Sequence, residues 1–483
     1  MSAAGRERRM NAFDHAIAPI LPVLLAVAAL ACLAGIIRAA AIIPLHVPLD
    51  PDEGWNAYHA AAVMAGAGLY PPPGGFMVNN YPPLSFYLVG LLGLFTGDQI
   101  VAGRIISLVS FVGVCGFAAL AARRLGSDLP GTAFSAVLIA AILLLTSGYV
   151  GMDDPQLFGH AFQLAALVLV LREPRTARAI FAAALLLVAG GFVKHNLFIL
   201  PLATVLWLAL FDRRNGLRLA AVSIALTFCG LAAFRLYFGF DLLGRLASPR
   251  LWSFAQFASS FSAWLPFVIV PLVGLGGFVA WHPKDKSAWF VAIYAALAVC
   301  AGAFMAGGVG VDVNAMFDGD IALALGAGLA LGRLLEEKTA VPHLVGRAFA
   351  LAALVPFVVL ASQNRAWRDS SFWLHPLQDE TSLAGKDITF LRARKGPAIC
   401  ETLAFCYWAA KQEPVDVFNL DQQFAAGVRD PAPFLRLLDS HYFSAIELDE
   451  TYPFPLPPVA KAAIYRNYRI DHTNDDGAFF LAR

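Results

Sequence analysis

What constrains this chain most is the recurrence of apolar runs long enough to cross a bilayer. A hydrocarbon core of about 30 Å takes roughly 20 helical residues at about 1.5 Å each. By that measure candidate spans lie near 17–44, 100–122, 131–150, 157–171, 177–193, 197–211, 218–239, 254–281, 287–306, 317–335 and 345–362. Of 483 residues, 59% fall in the hydrophobic set and 14% are charged, whereas soluble domains run nearer about a quarter charged. Most of the chain must therefore face lipid, and the expected fold class is an α-helical polytopic membrane protein of about eleven spans. A net charge of +1 supplies no basic surface for a nucleic-acid partner.

Arg6, Glu7, Arg8 and Arg9 precede the first run, which is longer than a signal-peptide core and reads as a retained span. The run Pro82 to Phe95 is the difficult case, because its roughly 14 residues reach only about 21 Å, better suited to an interfacial or re-entrant segment. Left uncounted, it places Arg123, Arg124, Arg172, Arg175, Arg178, Arg213, Arg214, Arg218, Lys284 and Lys286 on the side of the basic N-terminus. That is the positive-inside pattern, loop after loop. Everything after Gln363 then emerges on the opposite face, the periplasm in a bacterium. Two domains follow: a transmembrane domain over 1–362 and a small soluble α/β domain over 363–483. In the latter, strand-like runs at Ala398 to Thr402, Val415 to Phe418, Phe443 to Leu448 and Ala478 to Leu481 alternate with helical stretches. Cys32, Cys115, Cys229 and Cys300 sit in apolar runs, where a thiol is a small hydrophobe. Cys400 and Cys406 fall in the soluble part, where their spacing permits a disulfide without requiring one.

Under this topology one face collects the polar residues. The first outer loop carries Asp50, Asp52, Glu53, His59 and the Asn80, Tyr81, Pro82, Pro83, Leu84 run. The second carries Asp153 and Asp154, the third Lys194, His195 and Asn196, and the fifth Asp312, Asn314, Asp318 and Asp320, with Arg38 and Arg104 near the same face. Helix capping accounts for part of the first group: Asp50 as N-cap, Pro51 at the first helical position, Glu53 closing a capping box and Asp52 favoured by the helix dipole. Capping does not explain acids recurring on the same face in the second and fifth loops. Ionisable groups at a membrane boundary are costly unless paired or functional, so the set reads as a site.

These residues carry a resemblance. The acidic pair after the first span, the Tyr-Pro-Pro-Leu segment, the Asp-Pro turn before the fourth span and the lysine after the fifth resemble the GT-C glycosyltransferases, in particular the protein mannosyltransferase and aminoarabinose-transferase group. The likeness covers roughly residues 45 to 200 by motif and the rest by span count. It implies Asp52 as general base on the acceptor with Glu53 as companion, Tyr81 to Leu84 shaping the entrance, Asp153 or Asp154 as the second-loop acid, and Lys194 meeting the donor phosphate; Arg104, a second cation at that boundary, and His195 are further candidate substrate-binding residues. It implies a polyprenyl-phosphate sugar as donor, a lipid, glycan or protein as acceptor, and no obligatory cofactor. A divalent ion among Asp52, Asp153 and Asp154 is compatible with it but not required. The segment Val311 to Asp320 departs from the His- or Arg-containing pattern of relatives.

The chemistry stands without the family. Displacing a polyprenyl phosphate from an anomeric carbon needs a base for the incoming hydroxyl and a cation for the departing phosphate. A carboxylate and a lysine on one face supply both. His59, His160 and His195 lack the spacing of a His-Glu-x-x-His metal site and read as packing or polar-contact residues. Arg38 reads as a side chain that snorkels to the interface. A transporter or lipid flippase would place ionisable residues near mid-membrane with inverted repeats or broken helices. A polysaccharide ligase or polymerase would carry a large late outer loop.

Overall fold

The computed structural model describes residues 18–71, 74–240, 242–246, 251–337, 340–363, 375–449 and 456–483. The basic cluster Arg6 to Arg9 lies outside the described residues. Among these, eight helices are long and apolar enough to cross a membrane: α1 (Ile20–Ile42), α4 (Gln99–Arg124), α5 (Leu129–Thr146), α9 (Arg213–Phe238), α11 (Phe254–Trp281), α12 (Lys286–Met305), α13 (Phe317–Glu336) and α14 (Ala340–Gln363). Shorter apolar helices are α3 (Leu84–Thr96), α6 (Gln156–Val170), α7 (Ala177–Val193) and α8 (Ile199–Phe211). The polar helix α2 (Asp52–Met64) precedes α3, and the single turn α10 (Leu242–Leu246) follows α9.

Helix α13 is the axis of the bundle. Every residue from Phe317 to Gly332 is buried, and the helix packs against α5, α11, α12 and α14. Close approach to α5 rests on small residues: a Cβ on Gly131 would come within 2.2 Å of the Gly328 carbonyl oxygen. The outer helices α1 and α9 stay largely exposed along their length, as lipid-facing helices must.

The short helices separate by where their ends go, since α3 and α8 are equally long at 13 residues. Helix α8 begins beside Lys194 and ends where Trp207 donates to the Lys286 carbonyl, so it joins opposite faces. Helix α3 begins next to Tyr81 and ends at Gly97 and Asp98, and the Asp98 carboxylate accepts from Trp408 of the soluble domain. Both its ends therefore meet the same outer layer, and α3 does not cross. With α6, α7 and α8 added to the eight long helices, the loops holding Arg123, Arg172, Arg213 and Lys284 share one face, and Asp52, Asp154, Lys194 and Asp312 gather on the other.

Residues 375–449 and 456–483 build a three-layer α/β unit on that second face. Strands β1 (Ala398–Cys400), β2 (Ala445–Leu448), β3 (Tyr468–Asn474) and β4 (Gly477–Ala482) form one sheet in the order β1-β2-β4-β3, with β1 and β2 parallel and the other pairs antiparallel. Side chains alternate across it. Ala398, Cys400, Ala445 and Phe479 face α15 (His375–Ala393) and α16 (Leu403–Trp408); Ile399, Ile446 and Phe480 face α17 (Val417–Ala425), α18 (Ala432–Asp439) and α19 (Pro458–Asn467). The expected strand at Val415 to Phe418 is instead the start of α17, because Asp416 caps a helix there by accepting from the Asn419 N–H at 3.0 Å. Cys400 and Cys406 form a disulfide between β1 and α16.

Candidate active site

The first and second outer loops are tied together by a buried ion pair. The Glu53 carboxylate is fully buried and accepts from Arg104 Nε at 2.8 Å and Nη2 at 2.6 Å. It also accepts the backbone N–H of Leu49 at 2.9 Å and of Asp153 at 3.0 Å. The remaining Arg104 hydrogens go to the Ile42, Leu45 and Val47 carbonyls. A charged pair out of water needs this degree of satisfaction to persist. Glu53 and Arg104 thus stand behind the site and hold it.

The same pair resolves which neighbours face forward. Pro51, not Asp50, is the N-cap of α2; Asp50 just before it accepts the Asp52 N–H at 2.9 Å, and Asp52 in the first helical turn points into a cavity of about 410 Å³. Asp153, whose N–H Glu53 accepts, turns its carboxyl against Gly103; a Cβ at Gly103 would fall 1.7 Å from Asp153 Oδ1. Burial and the nearby Glu53 charge push the Asp153 carboxyl well above the usual carboxylate range. Asp154 lines the cavity instead. The sequence left these two acids equivalent; the backbone turn distinguishes them.

Lys194 ends α7 in an extended conformation, which sends its side chain into the cavity. Its ammonium donates to Asp154 Oδ2 at 2.9 Å and Oδ1 at 3.2 Å, and lies 5.3 Å from the centre of the Tyr81 ring. The lysine has no acid near it in sequence, and its partner comes from 40 residues away. His195 also lines the cavity, edge-on to Tyr81 at 5.8 Å. Pro82 and Pro83 start α3 and are not among the lining residues. His59 and His160 are buried in polar contacts with the Val78 carbonyl and Gln156.

In the fifth loop the acids divide. Asp312 and Asn314 line the cavity, but Asp318 and Asp320 belong to α13 and are buried, accepting from Tyr294 at 2.6 Å and Trp264 at 2.8 Å. Among the described residues no group of three or more His, Cys, Asp and Glu side chains converges as a metal cluster. Of Asp52, Asp153 and Asp154, the first and last line the cavity while Asp153 turns against Gly103.

The soluble domain closes the remaining wall with Phe418 and Asn419 from α17, and Trp252 and Phe304 add apolar surface on the bundle side. None of these four was expected from sequence. Trp252 and Phe304 carry only the signal of aromatics near span ends, which interfacial anchoring explains equally well, and Phe418 and Asn419 carry none. The half-buried Asp50 is pushed up to about 8, by burial first and then by Asp52 and Asp154.

Fold and site together define a multi-pass membrane protein with a polar cavity between the helical bundle and a C-terminal α/β domain, and the whole arrangement is shared with solved membrane proteins. ArnT from Cupriavidus metallidurans bound to undecaprenyl phosphate superposes with a TM-score of 0.59 at 15% identity, over 95% of this chain and 97% of that one. The Archaeoglobus fulgidus oligosaccharyltransferase in complex with Zn and sulfate gives a TM-score of 0.54 at 12% identity, over 93% and 72%. The same archaeal enzyme, AglB, in complex with an inhibitory peptide and a dolichol-phosphate gives 0.51 at 11%, over 86% and 69%. No family model matches the chain, and no curated protein matches it by sequence.

Proposed function

We propose that the protein transfers a sugar from a polyprenyl-phosphate donor to an acceptor on the extracytoplasmic side of a cell inner membrane. The observation that carries this reading is the convergence of Asp52, Asp154 and Lys194, from three separate loops, on one cavity at the membrane boundary. ArnT and AglB, which share the fold, were solved with undecaprenyl phosphate and dolichol-phosphate, and a boundary cavity suits a donor whose tail stays in lipid.

In this reaction Asp52 takes the proton of the acceptor hydroxyl, whose oxygen attacks the anomeric carbon as the bond to the phosphate oxygen breaks. A single displacement inverts the anomeric centre. Lys194, oriented by Asp154, meets the charge on the departing phosphate, and its third hydrogen is the one available for that oxygen. The disulfide and the positive-inside pattern both favour the extracytoplasmic face for the cavity. Of the intramembrane acids a transporter would need, Asp318 and Asp320 are each capped by an aromatic donor, which favours a structural use.

Purified protein given polyprenyl-phosphate sugar should release polyprenyl phosphate, and Asp52→Asn should abolish release while donor binding persists. Turnover above about a tenth of wild type in that variant would remove Asp52 as the base.

A further inference from the structure

The soluble domain reaches the cavity through one buried carboxylate. Asp416 caps α17 and accepts from the Asn419 N–H at 3.0 Å, from Asn419 Nδ2 at 2.8 Å and from Trp55 Nε1 at 3.0 Å, while its own N–H donates to the Phe76 carbonyl at 2.9 Å. Trp55 lies one helical turn after Asp52 on α2 and lines the cavity. Its indole N–H is shared with the Val78 carbonyl at 3.0 Å, and its ring meets Tyr81 edge-on at 5.1 Å. Tyr81 in turn lies beneath the Lys194 ammonium and beside His195. An unbroken run of contacts therefore leads from a residue of the soluble domain to the cation of the site.

We propose that Asp416 is a positioning residue of the cavity: it fixes the indole of Trp55, and through Trp55 the Tyr81 ring against which Lys194 is held. The inference rests on the glycosyl-transfer reading and goes beyond it, since it makes the soluble domain part of the catalytic assembly. The Asp416 carboxyl gives the indole N–H a second acceptor beside the Val78 carbonyl, so with Asp416 gone the Val78 carbonyl alone leaves the ring less constrained. Phe418 and Asn419, which follow Asp416 in the first turn of α17, place cavity wall on the same anchor.

The test is equilibrium binding of undecaprenyl phosphate to the full-length protein, with transfer measured in parallel and each value corrected for the folded fraction. Asp416→Ala should weaken binding about tenfold, the effect of roughly one buried hydrogen bond. Asp416→Asn, which keeps an acceptor oxygen for Trp55, should recover part of it. Trp55→Phe keeps the ring and removes the donor; in that background Asp416→Ala should add less than about twofold. Full additivity of the two substitutions, or wild-type affinity in Asp416→Ala, would overturn the proposal and leave Asp416 as a fastening of the domain alone. Failure of the functional reading looks different: a wild-type protein that binds undecaprenyl phosphate but never transfers sugar refutes glycosyl transfer, while the binding cycle still decides on Asp416. A wild type that binds no undecaprenyl phosphate overturns both.

Discussion

At the scale of single residues, adjacent carboxylates take opposite employment. Glu53 and Asp153 are turned inward and Asp52 and Asp154 forward, so each loop contributes one acid to the scaffold and one to the cavity. Glu53→Ala would leave the Arg104 guanidinium buried without its counter-charge, a loss of about 3–5 kcal/mol, and should appear as a large drop in melting temperature. Lys194→Ala carries a related cost because it strands the buried Asp154 carboxylate. The double variant Lys194→Ala/Asp154→Asn should therefore melt closer to wild type than Lys194→Ala does, while both bind donor about ten- to a hundredfold more weakly. Equal melting temperatures in the two variants would show that the pair adds little to stability.

At the scale of elements, most helices could be read from hydropathy because spans announce themselves by length and composition. The crossing of α8 and the turning back of α3 could not be separated by length; the basic loops and the contacts at the helix ends favour the same assignment. Cysteines placed at Gly74 and Gly97, on either side of α3, should label from the same face, and one at Glu173 from the other. Labelling of Gly97 together with Glu173 would make α3 a span and reverse every later loop. The site was legible in its loops but not in its side-chain directions: residue type and order pointed to Asp52, Lys194 and the second-loop acids, whereas the choice of Asp154 depends on a backbone turn packed against Gly103. In sequence the acids Asp318 and Asp320 count with the fifth outer loop, although they lie in the first turn of the expected span 317–335, which α13 follows. Where α2 meets α16, a Cβ on Gly54 would fall 2.1 Å from the Ala404 nitrogen. Gly54→Ala should lower the melting temperature through a backbone clash, at about 1–3 kcal/mol, and an unchanged melting curve would mean that the soluble domain is not seated there.

At the scale of the whole molecule, the soluble domain and its seat share a bias in their titration. Burial, assisted by neighbouring acids, pushes Asp416, Glu401 and Asp476 up to about 7 and Glu447 well above its usual range. The folded protein keeps these protons where an unfolded chain, with carboxyls titrating near 4, has released them. Their contribution is full below about pH 4 and is lost as pH rises through about 7. The melting temperature should accordingly be lower at pH 8 than at pH 5.5, and Asp416→Asn should narrow that difference. A further consequence belongs to α13, which is buried throughout its apolar length, carries Asp318 and Asp320 in its first turn and is the least apolar of the eight long helices. Presented alone to lipid during synthesis, it would have to expose Asp318 and Asp320 to hydrocarbon, since Tyr294 and Trp264 reside on α12 and α11. Both partners precede it in the chain. Entering the bilayer beside α11 and α12 would give both acids their donors before they meet lipid.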